Sequence, residues 1–306
     1  MMRSHSVSEE KISSFRIKHI KSWNQYQQVV TSPKFHSWAF RGQRDSQWQL
    51  ESSISRLLKQ YKIDPRAWED QEKRVNRIFR RKARLFLNHI PPEEDDFQWL
   101  ALMQHHGAPT RLLDFTWSPF VAAFFALESA ISSAAVWAVS VPRLWTEKFK
   151  LHNNQRKVTI SDLSLKTPGN YEKLFLGSDI PFLAQGEPLV MNQRLVAQSG
   201  TFAIPSMLDR PAEEIINTYK QPGRILVKLV IDTEKVRDDA MYALYNMNIS
   251  FATLFPGLDG MAQSLAYELE HDWYRNPKTY VTHPEWAGEH GHSAGVGRKK
   301  DSNVQD

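Results

Sequence analysis

The densest group of chemically active side chains lies between residues 104 and 116, just before the most apolar run of the chain. Its members can bind anions or exchange protons, and they are His105, His106, Thr110, Arg111, Asp114 and Thr116. Guanidinium and hydroxyl groups donate hydrogen bonds that suit phosphate oxygens. Histidine changes its charge near neutral pH and can therefore transfer protons. These residue types within one short segment predict an anion or phosphate site.

The apolar run that follows predicts a buried helix. Ser118 is a good N-cap, and Pro119 fits the first helical position, so we expect a helix from Pro119 to Leu127. Its free N–H groups and its positive dipole end would face the polar segment and favour a bound anion. Phe124 and Phe125 are expected to lie in the core.

The polar segment also admits a purely structural interpretation. Arg111 and Asp114 can pair with each other, and Thr116 can act as a second cap. The two histidines can be satisfied loop residues. From the residues alone, both interpretations stay open.

Composition places the chain among ordinary globular proteins and excludes several classes. With 306 residues, 41% hydrophobic and 24% charged, it can form one large or two small domains. It has no cysteine, which excludes disulfides, thiolate zinc sites and cysteine nucleophiles. A formal charge of +5 favours anionic partners such as nucleotides or nucleic acid. No apolar run reaches the roughly 18 residues of a membrane span, and no signal peptide is evident, so we expect a cytoplasmic protein without membrane contact.

A second candidate site lies earlier in the chain, at Trp38–Gln43. Aromatic residues alternate with Ala39 and Arg41, which predicts a strand that buries one face and presents Arg41 on the other. Gly42 permits a sharp turn or a close approach of a ligand. Arg41 and Gln43 are therefore candidate binding residues.

Periodicity and turn signals outline the remaining elements. We predict helices over 22–30, 52–61, 65–90, 93–104, 234–245 and 258–274, and strands over 134–141, 189–205 and 224–231. The helix over 65–90 is basic and predicts either a solvated face or a nucleic-acid contact.

The segments without periodicity complete the predicted organisation. Residues 145–177 predict a flap, while 1–12 and 286–306 predict a disordered lead and tail around one domain at 13–280. Helices concentrate in the first half and strands in the second, which indicates an α+β fold.

Three sequence blocks resemble the FRG domain family. Phe40-Arg41-Gly42 is followed by Gln104-His-His-Gly-Ala-Pro-Thr-Arg-Leu-Leu-Asp-Phe-Thr and by an Ala-rich Phe-Phe-Ala helix. Ala197-Gln-Ser-Gly-Thr-Phe and Leu254-Phe-Pro-Gly-Leu-Asp-Gly are similar to later blocks of the family. The resemblance spans residues 38 to about 265 and implies a shared fold more than a known reaction.

A fainter resemblance is to ADP-ribosyltransferases. Arg41 in Phe-Arg-Gly is similar to the arginine that ends their first strand and holds NAD. The segment from Thr116 to Leu127 resembles their central strand and helix, and Gln198 precedes a strand similar to the one that carries their catalytic glutamate. The resemblance implies a split antiparallel or mixed sheet and NAD as substrate. The helices predicted in the first half of the chain would form an N-terminal helical portion of the same domain.

The missing glutamate points to another carboxylate. Cleavage of the nicotinamide–ribose bond builds positive charge on the ribose, and an anion stabilises that charge, whereas neutral Gln198 does so incompletely. Asp114 is the best replacement, Glu187 is a weaker one, and Glu268 and Glu270 are further candidates. Asp114 can instead be a buried partner of an arginine.

The resulting assignment separates catalytic from binding residues. The catalytic candidates are Arg41, Asp114, Thr116 and Gln198, and the NAD-binding candidates are Gln43, His105, His106, Thr110 and Arg111. The resemblance implies ADP-ribosyl transfer or NAD hydrolysis, as in bacterial toxins and phage-defence effectors. The acceptor would be a protein or a nucleic acid. The alternative is a non-catalytic module that binds a nucleotide or nucleic acid.

Overall fold

A single mixed sheet organises the protein in a computed structural model that describes residues 14–146, 163–177 and 179–271. Its strands are β1 (Arg16–Ile20), β2 (Trp38–Gln43), β3 (Leu113–Thr116), β4 (Ala134–Ser140), β5 (Leu183–Gly186), β6 (Gly200–Pro205) and β7 (Leu226–Ile231). They lie in the order β1-β7-β4-β2-β3-β6-β5. Only β1 and β7 pair in parallel among these neighbours, and the other pairs are antiparallel. The predicted α+β fold is confirmed.

Helices cover both faces of this sheet. They are α1 (Trp23–Val30), α2 (Ser53–Gln60), α3 (Trp68–Ala83), α4 (Asp96–His105), α5 (Pro119–Leu127), α6 (Val141–Thr146), α7 (Gln193–Ala197), α8 (Ala212–Ile216), α9 (Pro222–Ile225), α10 (Thr233–Asn246), α11 (Phe251–Leu254) and α12 (Leu258–His271). Short 3₁₀ helices occupy Pro33–Phe35 and Pro65–Ala67, and a π-helical turn spans Tyr171–Phe175. No helix in the described ranges has the length and apolarity needed to cross a bilayer.

The sheet is almost divided between β2 and β3. These two strands are paired only at Phe40 and Thr116, whereas β2 pairs with β4 along its whole length. One part of the sheet is therefore β1-β7-β4-β2 and the other is β3-β6-β5. Beyond Phe40 and Thr116 the two strands are not paired, which leaves a gap between them.

Helix α5 packs directly on β2, and its predicted start at Pro119 is confirmed. The Ser118 hydroxyl accepts a hydrogen bond from the Val121 N–H and caps the helix at Pro119. Gly42 is required here, since a Cβ at this position would lie 2.1 Å from the Ala122 carbonyl oxygen. Phe124 is fully buried, as expected. Helix α5 therefore fixes the backbone of β2 immediately beside Arg41.

One detail of the core prediction is wrong. Phe125 is only partly buried, because its side chain lies at the edge of the core that Phe124 fills. The predicted concentration of helices in the first half of the chain is confirmed, and α2, α3 and α4 lie between β2 and β3.

The predicted helix over residues 65–90 is shorter, and its buried face also holds polar residues. Helix α3 ends at Ala83, and Phe86 and Ile90 are 84% and 47% exposed. Trp68 is buried as predicted, and the buried face also includes Glu72 and Asn76. Apolar periodicity did not indicate Glu72, because its partner Arg111 lies in a distant segment.

The chain over residues 163–205 also differs from its prediction. The expected strand over 189–205 is a strand only from Gly200, since Gln193–Ala197 forms α7 with an Asn192 N-cap. Strand β5 had no counterpart among the predicted elements. Of the predicted flap, residues 163–177 pack against the core through Tyr171 and Phe175, while 147–162 lie outside the described residues.

The predicted outer limits of the domain are only partly covered. The lead at 1–12 and the tail at 286–306 lie outside the described residues, and the domain boundaries at 13 and 280 stay predictions.

Candidate functional site

A cavity of about 580 Å³ opens where β2 and β3 stop pairing. Strand β2, strand β3, the segment before α2 and the end of α7 supply its walls. The lining residues are Phe40, Arg41, Gly42, Gln43, Arg44, Gln47, Trp48, Gln49, Glu51, Arg56, Asp114, Phe115, Thr116, Phe125, Arg194 and Gln198. Its volume lies within the range of small-molecule sites, which is roughly 300–1,000 Å³. The two candidate segments of the sequence, Trp38–Gln43 and residues 104–116, therefore both contribute to one concave site.

Arg41 bridges the gap between the two strands. Its Nη1 donates a hydrogen bond of 2.6 Å to the Asp114 carbonyl oxygen and lies 3.8 Å from the Asp114 carboxylate. Its Nε is buried and has no hydrogen-bond partner in the part of the chain that the structure describes. Burial lowers the pKa of Arg41, Asp114 opposes that shift, and the nearby Arg56 adds to it. Arg41 remains protonated despite the shift, so its charge is only partly compensated and favours an anion.

Asp114 presents a carboxylate to the same cavity. Its side chain is 56% exposed, and Oδ2 accepts a hydrogen bond of 2.8 Å from Gln104 Nε2. Gln104 is in turn held by the Thr110 hydroxyl at 2.6 Å. The carboxylate is thus oriented on one side and open to solvent on the other.

The cavity carries an excess of positive charge. Its arginines are Arg41, Arg44, Arg56 and Arg194, and its carboxylates are Glu51 and Asp114. Lys59 pairs with the Glu51 carboxylate and reduces its effect on the cavity. Clefts lined by one sign of charge concentrate ligands of the opposite sign. The site is therefore suited to an anionic ligand.

Thr116 and Gln198 line the cavity but are engaged within the fold. The Thr116 hydroxyl donates to the Gln198 carbonyl oxygen at 2.7 Å and accepts from the Ser118 N–H at 3.0 Å. The Gln198 amide donates to the Leu254 carbonyl oxygen at 3.0 Å. Both residues connect the end of β3 to α7 and α11. Since these hydrogen-bonding groups are used within the protein, the two residues determine the shape of the site more than they bind a ligand.

Gln43 is a structural residue of the cavity wall. It is buried, its Oε1 accepts from Trp137 Nε1 at 2.7 Å, and its Nε2 donates to the Gln49 carbonyl oxygen at 3.1 Å. Both ends of the amide are used. We therefore replace the predicted role of Gln43 in ligand binding with a role in holding the segment that contains Gln49.

Arg111 lies away from the cavity, in the interior. It is 0% exposed, and its guanidinium binds the Glu72 carboxylate and the carbonyl oxygens of Pro205, Ser206 and Phe175. The predicted role as a phosphate ligand is replaced by a structural one, because these partners enclose the guanidinium.

Thr110, next to Arg111, is also buried. Its hydroxyl binds Gln104 and accepts from the Leu112 N–H, so it supports Asp114 indirectly through Gln104. A direct contact of Thr110 with a ligand is not supported by this geometry.

His105 and His106 end α4 and are not among the described residues that line the cavity. Burial lowers the pKa of His105, and the neighbouring His106 and Arg194 lower it further. His105 is therefore neutral over a wider range of pH than an exposed histidine.

The N-terminus of α5 also does not form part of the cavity wall. Pro119 is not among the lining residues, and its carbonyl oxygen accepts a hydrogen bond of 2.6 Å from the Tyr26 hydroxyl. Helix α5 reaches the cavity only through Phe125, in its second turn. The positive charge that favours an anion in this cavity therefore comes from the arginine side chains, and not from the helix dipole as predicted.

Several cavity residues were not predicted from the sequence. Arg44 and Trp48 follow the Phe-Arg-Gly tripeptide closely. An arginine and an aromatic residue beside a candidate ligand-binding strand could have been predicted to belong to the site. Arg56 and Arg194 lie on α2 and α7 and carried no local signal, because only the packing of these helices brings them to β2.

Among the described residues, no group of three or more His, Asp or Glu side chains is arranged to hold a metal ion.

Comparison with known families identifies the segment that builds most of this cavity. Residues 36–135 match the model of the FRG domain, so the chain carries an FRG domain over this range, and the predicted resemblance is confirmed there. The similar blocks that begin at Ala197 and Leu254 lie beyond the match. The match contains β2, β3 and α5, including Arg41 and Asp114, whereas Arg194 and Gln198 lie beyond it. No curated protein and no solved structure matches the chain.

Proposed function

We propose that the protein binds NAD in the cavity and cleaves the bond between nicotinamide and ribose, with transfer of ADP-ribose to water or to an acceptor. The observation that carries this proposal is the meeting of Arg41 and Asp114 across the gap between β2 and β3. A cation and an exposed carboxylate at one site suit a substrate that carries a diphosphate and develops positive charge during cleavage.

Arg41 binds the diphosphate in this proposal. Its Nε has no hydrogen-bond partner among the described residues, and Arg56 adds positive charge nearby. Hydrogen bonds between a guanidinium and a phosphate are among the strong ones, because both groups are charged. The negative charge of the diphosphate would compensate the positive charge of the cavity arginines.

Asp114 stabilises the reacting ribose. As the bond from C1′ to the nicotinamide nitrogen breaks, its electron pair moves to the pyridinium ring, and positive charge develops on the ribose. Water attacks C1′ and loses a proton, which yields nicotinamide, ADP-ribose and H⁺. In transfer, a nucleophile on a protein or nucleic acid replaces water.

A second candidate function is nucleotide binding without turnover. The observation that favours it is the pairing of Asp114 with both Gln104 and Arg41, which is sufficient to explain an acidic residue at this position. Gln198, held by the Leu254 carbonyl oxygen, also supplies no negative charge.

The test is to incubate the purified protein with NAD and to measure nicotinamide release. We expect release by the wild type and a loss of at least about 100-fold for Asp114→Asn, with NAD affinity retained, because the substitution removes charge but keeps size. Asp70→Asn is a matched control, since Asp70 is an exposed aspartate of α3 outside the cavity.

The outcomes separate the two functions. NAD binding without release by the wild type would establish the binding module. Release that survives Asp114→Asn would remove the role of Asp114 and direct the search to Glu187, Glu268 and Glu270. Glu187 accepts a hydrogen bond from Trp117 and is not a lining residue.

A further inference from the structure

Trp48 is an exposed aromatic residue within the basic cavity. It lies between β2 and α2, lines the cavity and is 45% exposed. It belongs to none of the hydrophobic clusters formed by the described residues. A tryptophan side chain exposes a large apolar area, so a planar ligand that covers this ring would remove apolar surface from water.

A guanidinium lies over the same ring. Arg44 Cζ is 5.1 Å from the centroid of the Trp48 ring, and both side chains line the cavity. An aromatic ring beside positive charge is the combination with which proteins bind nucleotides, since the ring stacks on a base and the cation attracts phosphate.

The backbone on both sides of Trp48 is held in place. The Trp48 N–H donates to the Asp45 carbonyl oxygen at 3.2 Å. The Leu50 N–H donates to the buried Glu213 carboxylate at 3.0 Å, and the Leu50 carbonyl oxygen accepts from the Ala212 N–H at 3.0 Å. A segment that is ordered before binding loses less conformational entropy when a ligand stacks on it.

We propose that Trp48 is the stacking platform for the adenine base of the ligand, an assignment that depends on the dinucleotide binding proposed above. Adenine is uncharged, whereas the nicotinamide of NAD carries a positive charge that Arg44 would repel. The bond to be cleaved belongs beside Asp114 on β3, while Trp48 lies on a different wall. The adenine end therefore occupies the Trp48 wall, and the nicotinamide end occupies the Asp114 wall.

The experiment compares two mononucleotides that share a ribose phosphate and differ in the base. AMP and nicotinamide mononucleotide are titrated into the wild type and into Trp48→Ala by calorimetry. We expect Trp48→Ala to weaken AMP binding by about 5- to 150-fold, the usual effect of losing one stacked base. Binding of nicotinamide mononucleotide should change by less than about twofold.

Two further variants control for the fold and for the aromatic ring. Trp117→Ala removes another partly exposed tryptophan that does not line the cavity, and it should leave AMP binding unchanged. Trp48→Phe keeps an aromatic face and should retain most of the affinity, whereas Trp48→Leu should lose it. If one of the three variants at position 48 fails to fold, the AMP affinities of the other two are compared with that of the wild type.

Each result decides for or against the adenine site. Equal AMP affinity in Trp48→Leu and the wild type, an equal loss for both mononucleotides, or no AMP binding by the wild type would overturn it. Nicotinamide release is measured separately. A protein that binds AMP through Trp48 but releases no nicotinamide keeps the adenine site and loses the proposed reaction.

Discussion

Arg41 lies on β2, Arg111 lies just before the neighbouring strand β3, and the two arginines have opposite surroundings. Arg111 is fully enclosed and meets the Glu72 carboxylate through two nitrogens. Arg41 borders a cavity, has a carboxylate only at 3.8 Å and leaves its Nε without a partner. The partners of Arg111 enclose its guanidinium, so this region contributes to stability. The guanidinium of Arg41 is only partly paired, so it is available to a ligand.

The surroundings of Arg111 explain why the interior tolerates an ion pair. Helix α3 supplies Glu72, the end of β6 supplies carbonyl oxygens, and the rings of Tyr171 and Phe175 lie 5.7 and 5.4 Å from the guanidinium. A buried charge is costly unless it is paired and hydrogen-bonded. Arg111 thus connects its own segment with three others that are distant in sequence.

The largest expected effect comes from breaking the enclosed pair. Arg111→Ala should lower the free energy of unfolding by about 3–5 kcal/mol, because the Glu72 carboxylate stays buried without its partner. Urea denaturation measures the change. The double variant Arg111→Met/Glu72→Leu should recover much of it, since neither charge remains. A loss below about 1 kcal/mol for Arg111→Ala would contradict the structural role.

A comparison of neighbouring phenylalanines tests the same contrast between core and cavity. Phe124→Ala should cost about 3–5 kcal/mol, because a fully buried ring leaves a void. Phe125→Ala should cost clearly less, since Phe125 is partly buried and lines the cavity. Thermal and urea unfolding measure both. Equal costs would show that the wall formed by Phe125 is as much a part of the core as Phe124.

Arg41→Ala should separate binding from folding. We expect the variant to fold and its affinity for ADP-ribose to fall by about 10- to 150-fold, the effect of losing charge-assisted hydrogen bonds worth about 1.5–3 kcal/mol. Calorimetry measures the affinity. Arg66→Ala is the matched control, because the Arg66 side chain is 90% exposed and outside the cavity. Unfolding of Arg41→Ala, with no ligand bound by the wild type, would assign Arg41 to the fold.

The smallest expected effect concerns Glu213, which holds the Leu50 N–H beside the cavity. Burial raises the pKa of Glu213, so its carboxyl group holds a proton more tightly in the folded protein than in the unfolded chain. Stability from this group is present at low pH and falls as the pH rises from the unfolded-state pKa to the raised pKa. Glu213→Gln should flatten that decline in thermal melts measured from about pH 4 upward. An unchanged slope would remove Glu213 as its source.

Local sequence determined the elements whose signals act over a few residues. Ser118 and Pro119 predicted the start of α5, alternation predicted β2 around Arg41, and the Phe-Arg-Gly and His-His-Gly blocks indicated the FRG domain. Capping, alternation and turn chemistry depend on neighbours within about one helical turn. These elements could therefore be inferred from the sequence without the tertiary structure.

Only the tertiary structure decided which of the polar residues face a cavity. Arg111 and Asp114 lie in one segment, yet Glu72 on α3 encloses the first while the gap between β2 and β3 exposes the second. Arg194 joins the site from more than 150 residues beyond Arg41. Burial and partnership depend on which distant surfaces pack together, and no local spacing in the sequence records that choice.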